Sequence, residues 1–469
     1  MNKEIETVLS VSIFERMYFM IEKNQSYEVL IEDLTLEGNG VCRIDNFAVF
    51  VPMTAVGDKV RIKIVKVLKN YGFGIIEKII TPSNDRVDVD CPVFKQCGGC
   101  SFRHISYEAE LKLKEKAVKD AFSRLGGFDL PIDGILPSEK TEFYRNKAQY
   151  PLGVENGEVI SGFYAKRSHR IVKCDNCKIQ DERFSKIANW ILEFIKDRQI
   201  SVYDEKSGKG LLRHIYLRIA DKTGEIMVCL VSSKKKVPFL KEFSEEIKNI
   251  FPDVKSVVLN VNPENTNVIL GRDYEVLSGS ETIKDVFLGN DFLIAPASFY
   301  QVNKRQAERL YEKAFEYAEF KGDETLLDLY CGIGSIGLST YKKVKNLIGV
   351  EVVPQAIENA KKNAELNNAK NTEFICGDAK KAAKELLDKG LKPDVIIIDP
   401  PRQGCDKEVI ESITEMAPEK VVMISCNPST AARDAKLLCE MGYKLIKYTA
   451  VDLFPRTSHV ECCVLLYRK

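Results

Sequence analysis

Thr325-Leu326-Leu327-Asp328-Leu329-Tyr330-Cys331-Gly332-Ile333-Gly334-Ser335-Ile336-Gly337 reads as a short apolar strand, 325–330, running into a glycine-rich turn and then a helix. Beyond it strands and helices alternate to the end of the chain, the pattern of a doubly wound sheet. A second strand, 346–349, leads to Glu351, nineteen residues past Gly332. Glycines at 332, 334 and 337 let a ligand approach the backbone, and an acidic side chain after the second strand can bind both hydroxyls of a ribose. The combination predicts an adenosine-type cofactor.

Two later runs belong to the same sheet. Ile396-Ile397-Ile398-Asp399-Pro400-Pro401-Arg402 and Val421-Val422-Met423-Ile424-Ser425-Cys426-Asn427-Pro428 are each an apolar strand feeding a polar, proline-stiffened loop. Continuous β-branched runs suit strands buried on both faces of a parallel sheet. Reactive groups collect at the carboxyl ends of such strands. The loops should therefore meet in one crevice, offering a carboxylate (Asp399) and a thiol (Cys426). NAD and S-adenosylmethionine both fit the glycine turn, but hydride transfer gives these two loops nothing to do. Methyl transfer to a pyrimidine carbon does. Uracil C5 becomes nucleophilic only after a thiolate adds at C6, and a base must then remove the C5 proton. Cys426 suits the first role and Glu461, in His459-Val460-Glu461 before the last apolar strand, the second.

At 469 residues the chain exceeds one ordinary core, so two or three domains are expected. Net charge is +1, so any phosphate-binding surface must be local. The N-terminal apolar stretch 8–21 is broken by Glu15 and Arg16, which argues against a secretory signal or a membrane span and for a cytoplasmic protein. Fourteen cysteines, some clustered, fit a metal site in a reducing compartment better than a disulfide scaffold.

Residues 1–22 show no period or motif and stay unassigned. Residues 23–82 carry five alternating stretches, 27–36, 41–44, 47–51, 59–68 and 71–80, which predict a small closed barrel of oligonucleotide-binding type. Lys59, Arg61, Lys63, Lys66 and Lys69, with Tyr71 and Phe73 close behind, fit a single-stranded nucleic-acid surface as well as they fit a solvated strand face. Residues 83–290 read as a central α+β domain, and 291–469 as the doubly wound domain. The central domain opens with Cys91-Pro92-Val93-Phe94-Lys95-Gln96-Cys97-Gly98-Gly99-Cys100. Cys174 and Cys177 are the distant thiols that could complete a site. Zinc on Cys97, Cys100, Cys174 and Cys177, or an iron–sulfur cluster on Cys91, Cys97, Cys100 and one later cysteine, both satisfy the spacing. Tyr144-Arg145-Asn146-Lys147 and the basic run 164–170 fit a grip on an RNA backbone.

Ser298-Phe-Tyr-Gln-Val-Asn303, Asp328-Leu-Tyr-Cys-Gly-Ile-Gly334, Gly349-Val-Glu351, Asp399-Pro-Pro-Arg402, Ser425-Cys-Asn-Pro428 and His459-Val-Glu461 occur in this order. Together they resemble the RNA 5-methyluridine (uracil-C5) methyltransferase family, over nearly the whole chain from about residue 24. The resemblance implies a Rossmann-like class I methyltransferase domain, a TRAM-type N-terminal barrel, and the 23S ribosomal-RNA branch with its [4Fe–4S] cluster on Cys91, Cys97, Cys100 and Cys177. It further implies S-adenosylmethionine contacts from Gln301, Tyr330, Gly332, Glu351, Asp378 and Asp399, with Cys426 as nucleophile and Glu461 as base. The partner is then an unpaired or flipped uridine of RNA, with no membrane and no obligate protein partner. The transfer-RNA branch typically lacks the barrel and the cysteine cluster, so their presence favours ribosomal RNA. A different class of reading, an RNA-binding iron–sulfur protein on an inactive methyltransferase fold, sits poorly with Gly332, Glu351, Cys426 and Glu461 all being present.

Overall fold

The computed structural model describes residues 21–469, so all but the last two residues of the unassigned segment lie outside the described residues. The chain divides into two compact units, Met1–Val89 with Ser101–Leu113, and Asp90–Cys100 with Lys114–Lys469.

The first unit is built on a six-stranded sheet of Ser26–Leu30, Lys59–Val67, Tyr71–Thr81, Phe47–Pro52, Asn39–Ile44 and Asp33–Leu34, in that spatial order. The stretch expected as one strand over 27–36 is two. Ile31 donates its N–H to the Asp58 carbonyl (2.9 Å) and Glu32 to the Val41 carbonyl (2.9 Å). The chain thus leaves one neighbour and joins another, closing the sheet and removing its edges. Val29, Ile31, Cys42, Val49, Val51, Val60, Ile62 and Ile64 fill the interior, the period-2 inward set of the alternating sequence.

In the second unit, a seven-stranded sheet runs Ile171–Lys173, Glu158–Tyr164, Lys147–Glu155, Leu212–Ile219, Ile226–Ser232, Val254–Val261 and Asp273–Gly279. The helices Glu182–Asp197 and Leu240–Ile250 contribute Phe184, Ile187, Ile191, Ile195, Phe243 and Ile247 to its core. Apolar residues three and four apart put these on one helical face.

An eight-stranded sheet follows: Thr372–Cys376, Asn346–Glu351, Thr325–Leu329, Val395–Ile398, Lys420–Ser425, Glu461–Arg468, Tyr443–Val451 and Ile135–Leu136. The first five strands are mutually parallel, and Glu461–Arg468 runs antiparallel between its neighbours. The short strand Ile135–Leu136 pairs with Tyr443–Val451, a sheet partner from well before residue 291.

A second predicted element differs. After the glycine turn there is no α-helix but two three-residue 3-10 turns, Gly337–Ser339 and Tyr341–Lys343. Ser339 Oγ donates to the Ser335 carbonyl (2.7 Å) and Thr340 Oγ1 to the Gly337 carbonyl (2.7 Å). Such short side chains compete for the carbonyls a helix would use, and the next strand begins at Asn346, leaving no room to recover.

Within this unit Lys114 Nζ and Asp452 Oδ1 form a fully buried ion pair at 2.6 Å. Removing one partner of such a pair strands the other charge, at a cost of about 3–5 kcal/mol. Lys114→Met should therefore lower the thermal midpoint by several degrees, and Lys114→Met/Asp452→Leu should recover most of the loss. Equal midpoints for wild type and the single variant would show that the pair does not hold this unit together.

Candidate active site

Strand register lays the predicted residues along one edge of the large sheet. Leu329 is level with Val350 on one side and Ile398 on the other. The next residues, Tyr330, Glu351 and Asp399, therefore emerge side by side. Ser425 faces Cys462 across the antiparallel pair. One step further that register sets Cys426 opposite Glu461. The parallel strands end at this edge while the last strand begins there, so a thiol from one loop meets a carboxylate from another.

The electrostatics confirm the convergence. Burial pushes Glu461 up to about 8, the charge of Asp399 adds to the rise, and Arg402 opposes it. Asp399 is pushed up to about 7 by loss of solvent alone. The Cys426 thiol is raised to about 11, first by burial and then by Glu461 and Asp399; Arg402 counters through its charge and a side-chain hydrogen bond to the sulfur. A carboxyl that titrates near neutrality is matched to general acid–base work.

The cofactor end is equally defined. Gly332, at φ +56°, donates its N–H to Glu351 Oε2 (3.2 Å), and a Cβ placed on it would meet nothing within 4 Å. The backbone is thus open to a ligand at that point. Tyr330 takes a left-handed φ of +66°, unusual for a bulky residue and a sign of functional strain. Burial raises its hydroxyl, and Cys405, in the loop after Arg402, adds to the rise. The Tyr311 hydroxyl lies near Gln301 and Ser335 and feels the charges of Asp399 and Asp328. Asp378 is exposed and caps the helix Ala379–Asp388, accepting the Lys381 N–H at 3.3 Å.

Sequence reading left Arg402, Asp328 and Tyr311 without roles. Arg402 had a signal, since it directly follows the acidic-proline motif. Its loop is latched by Asn427, whose side chain donates to the Arg402 carbonyl (3.0 Å), and by Arg433, which donates to the Gln403 carbonyl (3.0 Å). Asp328, a charge in an otherwise apolar strand, was the other visible signal. It accepts the Gly337 N–H at 2.9 Å through Oδ2, while its buried Oδ1 has no partner. Burial lifts this carboxyl to about 8. A desolvated carboxyl with a free lone pair invites a cationic ligand. Tyr311, inside a helix, gave no signal.

The thiols Cys91, Cys97, Cys100, Cys174 and Cys177 are all half-buried. Among the described residues no three His, Cys, Asp or Glu side chains converge as a single metal ion needs. The thiols do share one electrostatic neighbourhood. Burial raises Cys97, and Cys177 and Cys91 raise it further. A hydrogen bond from Cys174 lowers Cys177, helped by the N–H groups of Ile179 and Gln180. Gly98 donates its N–H to the Tyr164 carbonyl (3.0 Å), and a Cβ there would lie 3.1 Å from that oxygen, a tight contact that a side chain would have to push back. Soft thiolate donors of this kind suit zinc and iron–sulfur groups alike.

Tyr144 and Asn146, expected on an RNA-gripping surface, are buried instead. On the barrel, Phe50, Tyr71 and Phe73 form a ring cluster with centroids 5.5–5.9 Å apart, and Lys66 and Lys69 are exposed.

A parallel sheet with one antiparallel strand inserted near its end, a glycine turn after one strand and an acidic residue after its neighbour is the class I methyltransferase fold. Comparison with known proteins narrows this. The family model for tRNA (Uracil-5-)-methyltransferase matches residues 106–469, and that for the TRAM domain matches residues 22–76. The chain belongs to the uracil-C5 RNA methyltransferase family. An uncharacterized RNA methyltransferase of Clostridium tetani is 45% identical over 447 residues, 95% of this chain and 97% of that protein. One from Bacillus cereus is 45% identical over 450 residues, 96% and 98% of the two chains. Among solved structures, the Pyrococcus abyssi tRNA (uracil-54, C5)-methyltransferase in complex with S-adenosyl-L-homocysteine superposes with a TM-score of 0.75. It is 28% identical and covers 94% of this chain and 99% of its own. Among the described residues no helix is long and apolar enough to cross a membrane.

The raised Glu461 makes stability depend on pH. Between its ordinary value of 4.5 and about 8 the folded protein holds a proton that the unfolded chain releases. Glu461's contribution is therefore full below 4.5 and is lost as pH rises through 8. Glu461→Gln should gain thermal stability relative to wild type on going from pH 6 to pH 9. A pH-independent difference would mean that Glu461 titrates as an ordinary carboxyl.

Proposed function

We propose that this protein methylates C5 of a uridine in RNA, with 23S ribosomal RNA as substrate, through a transient bond between Cys426 and C6 of the base. The observation that carries the reading is the juxtaposition of Cys426, Glu461 and Arg402, a thiol, a near-neutral carboxyl and a cation, at one sheet edge. Cys426 keeps its proton in the free protein. As the pyrimidine arrives the thiol proton passes to solvent and sulfur bonds C6, with Arg402 stabilising charge on sulfur. Glu461, in its ionised form, takes the C5 proton once C5 has been alkylated, and elimination of the sulfur frees the product. Bound S-adenosylmethionine supplies the electrophilic methyl group.

The cofactor-binding assignment is Glu351 on the ribose, Gly332 as the open backbone, Tyr330 as a ring wall, with Gln301, Asp378 and Asp399 completing the contact set. Near the glycine turn the charges of Asp399 and Glu351 add to the cost that burial sets on ionising Asp328. A sulfonium with an ammonium group relieves that cost, whereas a further anion would add to it. The cysteines Cys91, Cys97, Cys100 and Cys177 are assigned to a [4Fe–4S] cluster that stiffens its surroundings; methyl transfer needs no electron. The aromatic and lysine face of the barrel is assigned to single-stranded RNA, in a cytoplasmic setting.

Transfer RNA is the second reading, favoured by the Pyrococcus abyssi structure. Only 6% of 469 residues, about 28, fall outside that match, fewer than the barrel contains. Possession of the barrel is therefore no argument against a transfer-RNA substrate.

Mapping 5-methyluridine across ribosomal and transfer RNA, with and without the protein, decides between the two. Cys426→Ala should abolish both methylation and covalent capture of 5-fluorouridine RNA, and Glu461→Gln should capture RNA but release it slowly. Retained turnover in Cys426→Ala would remove the sulfur from the mechanism. Protein purified without oxygen should contain iron and sulfide in equal amounts; stoichiometric zinc without iron would overturn the cluster.

A further inference from the structure

Tyr144, Arg145 and Asn146 take no part in the reaction described, yet each is tied to a different part of the second unit. The Tyr144 hydroxyl, buried, donates to the Pro455 carbonyl at 2.9 Å. Arg145 is sewn to the segment just after Cys177: its N–H donates to the Ile179 carbonyl (3.0 Å) and its carbonyl accepts the Asp181 N–H (3.1 Å). Its guanidinium carbon lies 5.8 Å from the centre of the Phe454 ring, and that ring meets His459 edge-on at 5.9 Å, two residues before Glu461. Asn146 donates its side-chain N–H to the Gln301 carbonyl (3.0 Å) and its backbone N–H to the Val302 carbonyl (2.8 Å). Phe143 extends the seam by donating to the Lys178 carbonyl at 2.9 Å.

Successive residues of an extended chain are only about 3.3 Å apart. The thiol segment and the strand end bearing Gln301 are therefore joined through consecutive backbone units, and the loop before Glu461 is held from the same run by the Tyr144 hydroxyl. Backbone pairing cannot slide by a fraction of a residue, so a shift at residues 178–181 passes to both sides at once. The Arg145 side chain adds to this through its guanidinium, which rests near the Phe454 ring.

We propose that Tyr144, Arg145 and Asn146 form a bracket through which the segment carrying Cys177 holds Gln301 and the Glu461 loop in reacting register. The claim rests on Glu461 and Gln301 serving the reaction as assigned above, and makes the three bracket residues positioning residues. It gives the cysteine site a purpose that requires no redox change: rigidity delivered to the two walls of the reaction centre.

The test uses the full-length protein, with hydrogen exchange read in the absence of substrate and kcat and KM read separately with RNA. Tyr144→Phe removes one hydrogen bond without altering packing. It should raise exchange over 454–461 about fivefold to tenfold and lower kcat by about 10- to 100-fold, the usual effect of small misplacement of a reacting group. KM for S-adenosylmethionine should stay within about twofold, since that bond faces the Glu461 side. Cys177→Ser should loosen both 454–461 and 300–303. Exchange confined to 171–181 in Cys177→Ser, or unchanged exchange over 454–461 in Tyr144→Phe, would overturn the bracket. The exchange arm needs no turnover, so it decides this claim even if the protein proves not to methylate uridine.

Discussion

The pairing of Ser425 with Cys462 across two antiparallel strands is the constraint on which the reaction centre depends. A strand entering the sheet backwards presents its first residue where its neighbours present their last. Glu461 is that first residue, and it is buried because strands flank it on both sides. A slip of one residue would turn every side chain of this strand to the opposite face. The apolar run Val464, Leu465 and Leu466, fully packed, makes such a slip costly. Core packing thus sets the distance between a thiol and a carboxylate that have no direct influence on the core.

Burial then does the chemical tuning. The charge of Asp399 reaches both Asp328 and Glu461, and Arg402 is the cation acting on both Glu461 and Cys426. Carboxyls in this setting resist ionisation, so the free protein holds protons at neutral pH that it can later exchange for a cationic ligand. The stiff loop after Pro401, latched by Asn427 and Arg433, keeps the guanidinium at this edge. Preorganised charge of this kind is where much of an enzyme's rate enhancement originates.

How much of this was legible beforehand varied with the kind of signal. Asp399, Cys426 and Glu461 could be read because each interrupts or borders an apolar run, and parallel strands expose their ends on one side. Helix prediction after Gly337 failed because short hydroxyl side chains at 339 and 340 bond locally, an effect that periodicity does not register. Tyr144-Arg145-Asn146-Lys147 looked like a surface grip, since basic and aromatic residues mingle there. Folding buries Tyr144 and Asn146 and turns their polar atoms to carbonyls more than a hundred residues away. Asp378 caps the helix Ala379–Asp388 with its carboxylate, a use no motif reveals.

The sequence by itself determined the strand order's raw material, the identity of the reactive groups and the glycine turn, because these follow from local patterning and from which residue types can do the chemistry. Only the tertiary structure decided that Cys426 faces Glu461, that Arg402 acts on both, and that Tyr144, Arg145 and Asn146 join the cysteine segment to the reaction centre. The reason is physical. Register across a sheet and burial of a polar atom are properties of contacts distant in sequence, fixed by how the whole core packs rather than by any residue's neighbours in the chain.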